Sequence, residues 1–278
     1  MTLERVAYHG YEGVRLRGGR SSVVVVTSAG PRVLGLIGSG EDLFAVLPAA
    51  GLDGPAGERF AFIGGHRLWA APEVPDITYQ PDDRPCAVVE VDDGVRVEAP
   101  ADGAGLAKAI EVRASGDDWV VDHAIRNASG ASVTIAPWAI TQLRPGGRAR
   151  LPLGGAGTGL QADHALVLWP YTRPDDPRLG FEPDAVRILA EPGPGPIKVG
   201  AAPSRGRVSY ERAGERFEKR VELDPAGTYA DRGAAVQVYL NDDFCELETL
   251  GPLRVVEPGA VAEHRERWTL GPAGGSDG

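Results

Sequence analysis

The sequence predicts an all-β fold, built as a large two-sheet antiparallel β-sandwich. One observation is that turn-forming residues are spread along the whole chain, since its 278 residues include 38 glycines and 23 prolines. These residues interrupt the chain too often for long helices. The other observation is that the segments between the turns are short and β-branched, or alternate between polar and apolar residues, as strands do. About twenty such segments are present, more than a small immunoglobulin-like sandwich needs.

The strand-like segments run from one end of the chain to the other. The clearest β-branched runs are 22–27, 86–91 and 234–240, and the clearest alternating ones are 94–98 and 216–223. Composition does not change along the chain, so we expect one domain over residues 1–270. The small, polar segment 271–278 is expected to be a flexible tail.

Composition narrows the classes of partner. The net charge of −10 disfavours nucleic acid, because an acidic surface repels phosphates. No apolar run approaches the roughly 18 residues of a membrane helix, so no membrane partner is expected. The N-terminus lacks the pattern of a signal peptide, which predicts a cytoplasmic protein. Cys86 and Cys245 have no metal-type spacing, so no metal site is expected.

The first candidate site segment is 62–73, where two glycines precede His66, Arg67, Trp69 and Glu73. The glycines permit a sharp turn or a close backbone approach. Aromatic faces that pack on sugar C–H groups, beside charged groups that bind hydroxyls, are typical of carbohydrate sites. Strand periodicity puts His66 on one face and Arg67 with Trp69 on the other, so only a bulge or bend would bring all of them to one pocket. The alternative is a core tryptophan beside a surface arginine and histidine.

The second candidate segment is 136–147, in which Trp138, Ile140 and Gln142 have the same parity. A strand would place these three side chains on one face. The alternative is a strand end with one buried tryptophan. His123 lies in another predicted strand and is interpreted as a structural histidine.

The third candidate segment carries Phe244, Glu246 and Glu248 on one strand face. Two carboxylates on one face repel each other, which can raise a pKa enough to make a general acid or base. The alternative is a solvated face beside arginines. Phosphate-binding loops, serine-nucleophile elbows and zinc-protease motifs are all missing from the sequence.

Taken in order, several segments resemble a bacterial branch of the galactose-mutarotase-like superfamily, which is also called aldose 1-epimerase-like. The segments are 64–73, 121–127, 136–142, 197–200, 246–252 and 257–270. The resemblance covers nearly the whole chain and implies the family's fold, a large β-sandwich called a supersandwich. It also implies a small-molecule carbohydrate as the ligand. It says much less about activity, because one fold hosts many functions.

The resemblance also implies roles for individual residues. The family's epimerases open a sugar ring with a carboxylate base and a histidine acid, and they need no cofactor. By position, Glu248 or Glu246 corresponds to the base. The family's mid-chain histidine falls within 138–142, where this chain has none, so His66 or Lys198 is the candidate acid. The expected substrate-binding residues are Arg67, Trp69, Glu73, Trp138, Thr141, Gln142 and Lys198.

Three functions follow as hypotheses. The first is an aldose 1-epimerase-like enzyme that acts at or near the anomeric centre of a sugar by acid–base catalysis. The second is a non-catalytic carbohydrate-binding protein, which the missing mid-chain histidine favours. The third is a lyase or an isomerase of another substrate on the same scaffold. The sequence predicts no particular oligomeric state.

Overall fold

The all-β prediction is confirmed by a computed structural model, which describes residues 3–53, 59–154, 159–160 and 162–274. The first strands and helix are β1 (Glu4–Tyr8), β2 (Tyr11–Arg17), β3 (Ser22–Val26), β4 (Arg32–Ile37), β5 (Val46–Asp53), β6 (Arg59–Gly64), β7 (His66–Ala71), α1 (Pro75–Thr78), β8 (Ala87–Val91), β9 (Gly94–Glu98), β10 (Leu106–Ser115), β11 (Asp118–Asn127) and β12 (Val133–Leu143). The others are β13 (Arg148–Pro152), β14 (Ala165–Leu168), β15 (Leu179–Phe181), β16 (Ala185–Leu189), β17 (Ile197–Ala202), β18 (Arg207–Arg212), β19 (Glu215–Arg220), α2 (Ala230–Gly233), β20 (Val236–Leu240), β21 (Cys245–Leu250), β22 (Arg254–Val256) and β23 (Val261–Pro272).

Two large antiparallel sheets form the sandwich. The first, which we call the site sheet, has the order β1-β2-β3-β4-β7-β12-β21-β20-β17-β14, and β22 pairs with the beginning of β12. The second sheet has the order β15-β16-β13-β18-β19-β23-β11-β10-β9-β8. Strands β5 and β6 pair as a separate hairpin. The predicted two-sheet antiparallel sandwich is therefore confirmed.

Side chains alternate between the two faces of the site sheet. On β12, Ala139 and Leu143 are fully buried in the sandwich core, whereas Trp138 and Ile140 belong to a second apolar cluster on the opposite face. The core also contains the large rings of Trp119, Trp268 and Phe217, each at most 1% exposed. Burying a side chain of this size stabilises the fold by about 1.5–3 kcal/mol. The outer face of the site sheet is thus also packed, and this packing shapes the pocket described below.

A Gly-Gly turn sets the start of β7. Gly64 and Gly65 have φ values of +96° and +72°, which glycine adopts readily. A Cβ at Gly64 would lie 2.1 Å from the carbonyl oxygen of Ala45, and one at Gly65 would lie 2.3 Å from that of Val33. A turn with positive φ and a close backbone approach, the two alternatives that the glycines permit, are therefore both present here.

The last strand continues to Pro272, two residues beyond the expected end of the domain. Residues 275–278 of the expected tail lie outside the described residues. None of the helices in the described part of the chain has the length and apolar character needed to cross a membrane.

Candidate functional site

A pocket of about 660 Å³ opens on the outer face of the site sheet. Seven of its fifteen lining residues are aromatic, and the ionisable acids and bases among the others are three carboxyl groups and one lysine. The lining residues are Leu47, Phe62, Trp69, Glu73, Tyr79, Trp138, Ile140, Tyr171, Pro196, Lys198, Tyr239, Asn241, Asp243, Phe244 and Glu246. Of the predicted site residues, Trp69, Glu73, Trp138, Lys198 and Glu246 therefore line one pocket.

Strand register explains why residues far apart in the chain meet here. Gln142 on β12 lies opposite Glu246 on β21, and Glu246 lies opposite Tyr239 on β20. Tyr239 in turn lies opposite Lys198 on β17. Neighbouring strands are only about 4.8 Å apart, so these four side chains form one row across the outer face. In the next row, Glu248 lies between Ile140 and Gln237.

Glu248 lies in the layer beneath the pocket lining and is fully buried. Its Oε2 accepts hydrogen bonds from Trp138 Nε1 at 2.7 Å and from Lys198 Nζ at 2.8 Å. Its Oε1 has no hydrogen-bond partner among the described residues. Burial raises the pKa of Glu248, and the Lys198 ammonium and the Trp138 N–H oppose this shift. The paired ammonium makes Glu248 the member of the Glu246–Glu248 pair that holds the negative charge.

Glu246 differs from Glu248 because it lines the pocket and, among the described residues, no cation is hydrogen-bonded to it. Its Oε1 accepts a hydrogen bond from Gln142 Nε2 at 2.9 Å. Burial, followed by repulsion from Glu248, raises the pKa of Glu246 to about 8. This favours the protonated form of Glu246 at pH 7, whereas the Lys198 ammonium favours the charged form of Glu248. Two carboxyl groups whose environments separate their pKa values are suited to act as an acid and a base.

Two cations are packed against the aromatic walls. The Lys198 ammonium lies 4.5 Å from the ring centroid of Trp138 and 4.7 Å from that of Trp169. The Arg67 guanidinium lies 4.3 Å from the ring centroid of Trp69 and 5.0 Å from that of Phe62. Cations at these distances over ring faces are attracted by the negative π-face.

Arg67 and Gln142 do not line the pocket, contrary to the expectation that they contact substrate. Both side chains are fully buried. Arg67 donates to Asp82 Oδ2 through Nε at 3.1 Å and Nη2 at 2.8 Å, and Arg32 forms an ion pair with the same oxygen. Arg67 thus supports the Trp69 ring from behind, and Gln142 orients Glu246.

His66 and Thr141 lie on the opposite face of the site sheet from the two glutamates, although His66 was a candidate acid and Thr141 an expected substrate-binding residue. Both are fully buried between the sheets, and His66 Nδ1 lies 2.9 Å from Thr141 Oγ1. The physical reason is the alternation of side chains, which sends His66 inward and its neighbour Arg67 outward. No bulge in β7 brings them together.

The histidines instead belong to a polar network in the sandwich core. His123 Nδ1 donates to the carbonyl oxygen of His264 at 3.1 Å, so His123 Nε2 accepts from His66 Nε2 at 2.7 Å. The Thr141 hydroxyl then donates to His66. Burial lowers the pKa of both His66 and His123, which keeps them neutral at pH 7. His123 is therefore structural, as the sequence predicted.

Lys219 completes this network beneath the site strands. Its ammonium lies 2.7 Å from Glu266 Oε1 and donates to the backbone carbonyls of Ala139 and Leu247. Among the described residues, His66, His123 and Glu266 have the spacing of metal ligands. The two histidine Nε2 atoms already share a hydrogen bond, and the Lys219 ammonium beside Glu266 would repel a cation. The geometry favours an ion-pair network that holds β12 and β21 in place.

Sequence reasoning missed several residues around the pocket. Tyr239 has the same parity as Gln237 in a predicted strand, so strand alternation would have placed it on one face. Tyr79 and Tyr171 lie in irregular segments, and Asp82 lies in a loop before β8, where no periodicity assigns a direction. Burial raises the pKa of Tyr171, as does the charge of Glu248, so its hydroxyl stays protonated.

The sequence matches no protein-family model and none of the curated proteins compared with it. Solved structures do match. A candidate mutarotase from Salmonella typhimurium has a TM-score of 0.60 at 12% identity, with 97% of this chain and 94% of that chain covered. A candidate aldose 1-epimerase from Escherichia coli K12 has a TM-score of 0.57 at 12% identity, with 93% and 98% covered. A galactose mutarotase-like protein from Lactobacillus casei has a TM-score of 0.52 at 10% identity, with 93% and 100% covered. At these identities the likeness concerns the fold, and on that basis this chain has the galactose-mutarotase-like fold.

Proposed function

We propose that the protein binds a small carbohydrate in the pocket and catalyses proton transfer at its anomeric centre, as an aldose 1-epimerase does. The observation that carries the proposal is the unequal pair of carboxyl groups, of which Glu246 lines the pocket and Glu248 forms an ion pair with Lys198 beneath it. The printed names of two structural neighbours, a candidate aldose 1-epimerase and a candidate mutarotase, support the same chemistry.

The reaction assigns one role to each carboxyl group. Glu248 takes the proton from the anomeric hydroxyl, and the bond between C1 and the ring oxygen breaks as the C1 carbonyl forms. The ring oxygen takes its proton from Glu246. After rotation about the C1–C2 bond, the ring oxygen attacks C1 and returns its proton to Glu246, while the carbonyl oxygen recovers a proton from Glu248. Protons balance over the cycle, and no cofactor enters.

Aromatic walls suit the apolar face of a sugar ring. Tyr239 and Phe244 pack with their ring centroids 6.0 Å apart on the side of the pocket that also holds Glu246. A sugar presents C–H groups on its faces and hydroxyls on its rim, so it can contact the rings and the carboxyl groups together. In this arrangement Trp69 and Trp138, which line the pocket, would contact the sugar.

A non-catalytic carbohydrate-binding protein is the second candidate. Two observations favour it. No histidine lines the pocket among the described residues, and Glu248 is fully buried beneath the Trp138 ring and the Lys198 ammonium. A base in that position reaches the anomeric hydroxyl only if the sugar penetrates to the pocket floor.

Exchange between anomers, followed by NMR on a panel of aldoses, tests the proposal. We expect Glu246→Gln and Glu248→Gln each to slow exchange by about 10²–10⁴-fold with little change in KM, because glutamine keeps the shape but transfers no proton. Glu263→Gln, on the exposed side of β23, is the matched control and should keep the parent rate. Sugar binding without catalysed exchange in the parent would favour the binding protein. Parent-like rates in both variants would refute the assignment of the two carboxyl groups.

A further inference from the structure

We propose that the pocket selects an aldose that carries an ammonium group, an amino sugar, over neutral aldoses and rejects phosphorylated or carboxylated ones. This inference rests on the proposed carbohydrate function and names the class of sugar. It is carried by the charges of the lining residues, by the ion pair of Lys198 in the lining, and by the aromatic walls.

Carboxyl groups outnumber cations around the pocket. Glu73, Asp243 and Glu246 line it, and the Glu248 carboxylate lies directly beneath it, within 2.8 Å of two lining side chains. Among the described lining residues, Lys198 is the basic one. Even with Glu246 protonated, Glu73 and Asp243 keep the rim negative, because the remaining pair of Lys198 and Glu248 is neutral. A positively charged ligand is therefore attracted, and an anion is repelled.

The Lys198 ammonium already contacts other groups of the protein. Its ammonium forms the 2.8 Å ion pair with Glu248 and lies between the Trp138 and Trp169 rings. A phosphate or carboxylate on a sugar would have to take Lys198 away from Glu248, which would leave a buried carboxylate unpaired. Loss of one partner of a buried ion pair is strongly unfavourable. Lys198, the cation in the described lining, is therefore a poor partner for an anionic sugar.

The layer beneath the pocket lining holds an acceptor that a ligand reaching this depth could use. Glu248 Oε1 is buried and receives no hydrogen bond from any described residue, although its carboxylate contacts both Trp138 and Lys198. An ammonium group only donates hydrogen bonds, and carboxylates only accept them. An ammonium group therefore matches the unused Glu248 oxygen better than a phosphate group does.

The aromatic walls suit the same class of ligand. Tyr171, Tyr239 and Phe244 line the pocket, with centroids 6.4 Å apart for the first pair and 6.0 Å for the second. Aromatic rings combined with carboxylates are a general arrangement for binding organic ammonium groups. The chain itself uses this arrangement when it holds the Lys198 ammonium between two tryptophan rings.

Proton release provides a distinctive signature. An ammonium group bound near Glu246 favours the charged carboxylate, so it lowers a pKa that lies near 8 in the free protein. Glu246 should then release part of a proton per bound amino sugar at pH 7, and the fraction that stays protonated still supplies the acid. A neutral sugar brings no charge close to Glu246, so its binding should release no proton.

Isothermal titration calorimetry at pH 7 tests the inference. The ligands are D-glucosamine, D-glucose, N-acetyl-D-glucosamine and D-glucose 6-phosphate, each titrated in two buffers of different ionisation enthalpy. We expect D-glucosamine to bind at least about tenfold more tightly than D-glucose and to release part of a proton. N-Acetyl-D-glucosamine, whose nitrogen is uncharged, should lose this advantage, and D-glucose 6-phosphate should bind most weakly. Glu246→Gln should abolish the proton release.

Asp243→Asn provides a second measurement on a residue at the exposed rim. It should reduce the preference for D-glucosamine over D-glucose at least twofold, because the affinity for D-glucosamine falls more than the affinity for D-glucose. If D-glucose binds as tightly as D-glucosamine, or if D-glucose 6-phosphate binds best, the inference is overturned while the proposed function stands. If none of the four ligands binds, both the inference and the proposed carbohydrate function fail.

Discussion

The Lys198 ammonium lies 2.8 Å from the Glu248 carboxylate, and the two side chains are 5% and 0% exposed. This ion pair joins β17 to β21 across β20, which lies between them. Removing one partner leaves the other charge buried and unpaired, whereas removing both does not. The pair should therefore show strong thermodynamic coupling.

Lys198→Met should lower the free energy of unfolding by about 3–5 kcal/mol, because Glu248 then loses its cation. The double variant Lys198→Met/Glu248→Gln should recover more than half of this loss. Urea unfolding of the parent, both single variants and the double variant measures the coupling. Additive losses in the double variant would show that the two side chains do not depend on each other.

Catalysed anomer exchange should fall as the pH rises through about 8. Burial and repulsion by Glu248 raise the pKa of Glu246 to about 8, and the proposed acid works only in its protonated form. The measurement is the rate constant of exchange between pH 6 and pH 9.5, corrected for the uncatalysed reaction. A rate that instead increases through pH 8 would make Glu246 the base and reverse the two roles.

Glu246 should also make the folded state less stable at alkaline pH. Its folded pKa of about 8 exceeds the ordinary value of 4.5, so the folded protein holds this proton more tightly than the unfolded chain. Its contribution to stability is complete below pH 4.5 and is lost as the pH rises towards 8. Since the pocket admits solvent, we expect a loss of about 1–4 kcal/mol.

Comparison of the parent with Glu246→Gln isolates that contribution. The parent should lose more unfolding free energy between pH 5 and pH 8.5 than the variant, which has no proton to release at this position. Glu263→Gln, at an exposed site, should follow the parent. Equal pH dependence in all three proteins would mean that Glu246 ionises near its ordinary pKa.

Much of the site could be predicted from strand periodicity. Alternation correctly put Glu246 and Glu248 on one face, and it put Trp138 and Gln142 on one face as well. It also separated His66 from Arg67. The expectation that His66 joins the pocket came from grouping whole segments by resemblance, and the side-chain parity of β7 overrides that grouping.

The other features depend on contacts that no local pattern encodes. Lys198 and Glu248 meet because β17 and β21 flank β20, and the order of strands in a sheet is not written in their periodicity. Asp82 and Tyr171 approach the site from irregular segments, whose side-chain directions are set by tertiary packing. The pKa values of Glu246 and Glu248 differ because Lys198 and Trp138 lie around Glu248, and strand periodicity does not predict this placement.

His66→Gln distinguishes a structural histidine from a catalytic one. The His66 side chain is fully buried and hydrogen-bonded to Thr141 and His123, so the variant should lose about 1–3 kcal/mol of unfolding free energy. Because His66 faces away from the pocket, sugar affinity and the rate of anomer exchange should stay within about threefold of the parent at a temperature where the variant is folded. The decrease in rate above pH 8 should be unchanged.

His164→Gln, at an exposed histidine, should alter neither stability nor rate. A loss of about 10²-fold or more in rate with parent-like stability would instead make His66 the acid, and the sandwich core would then have to open to the sugar during each catalytic cycle.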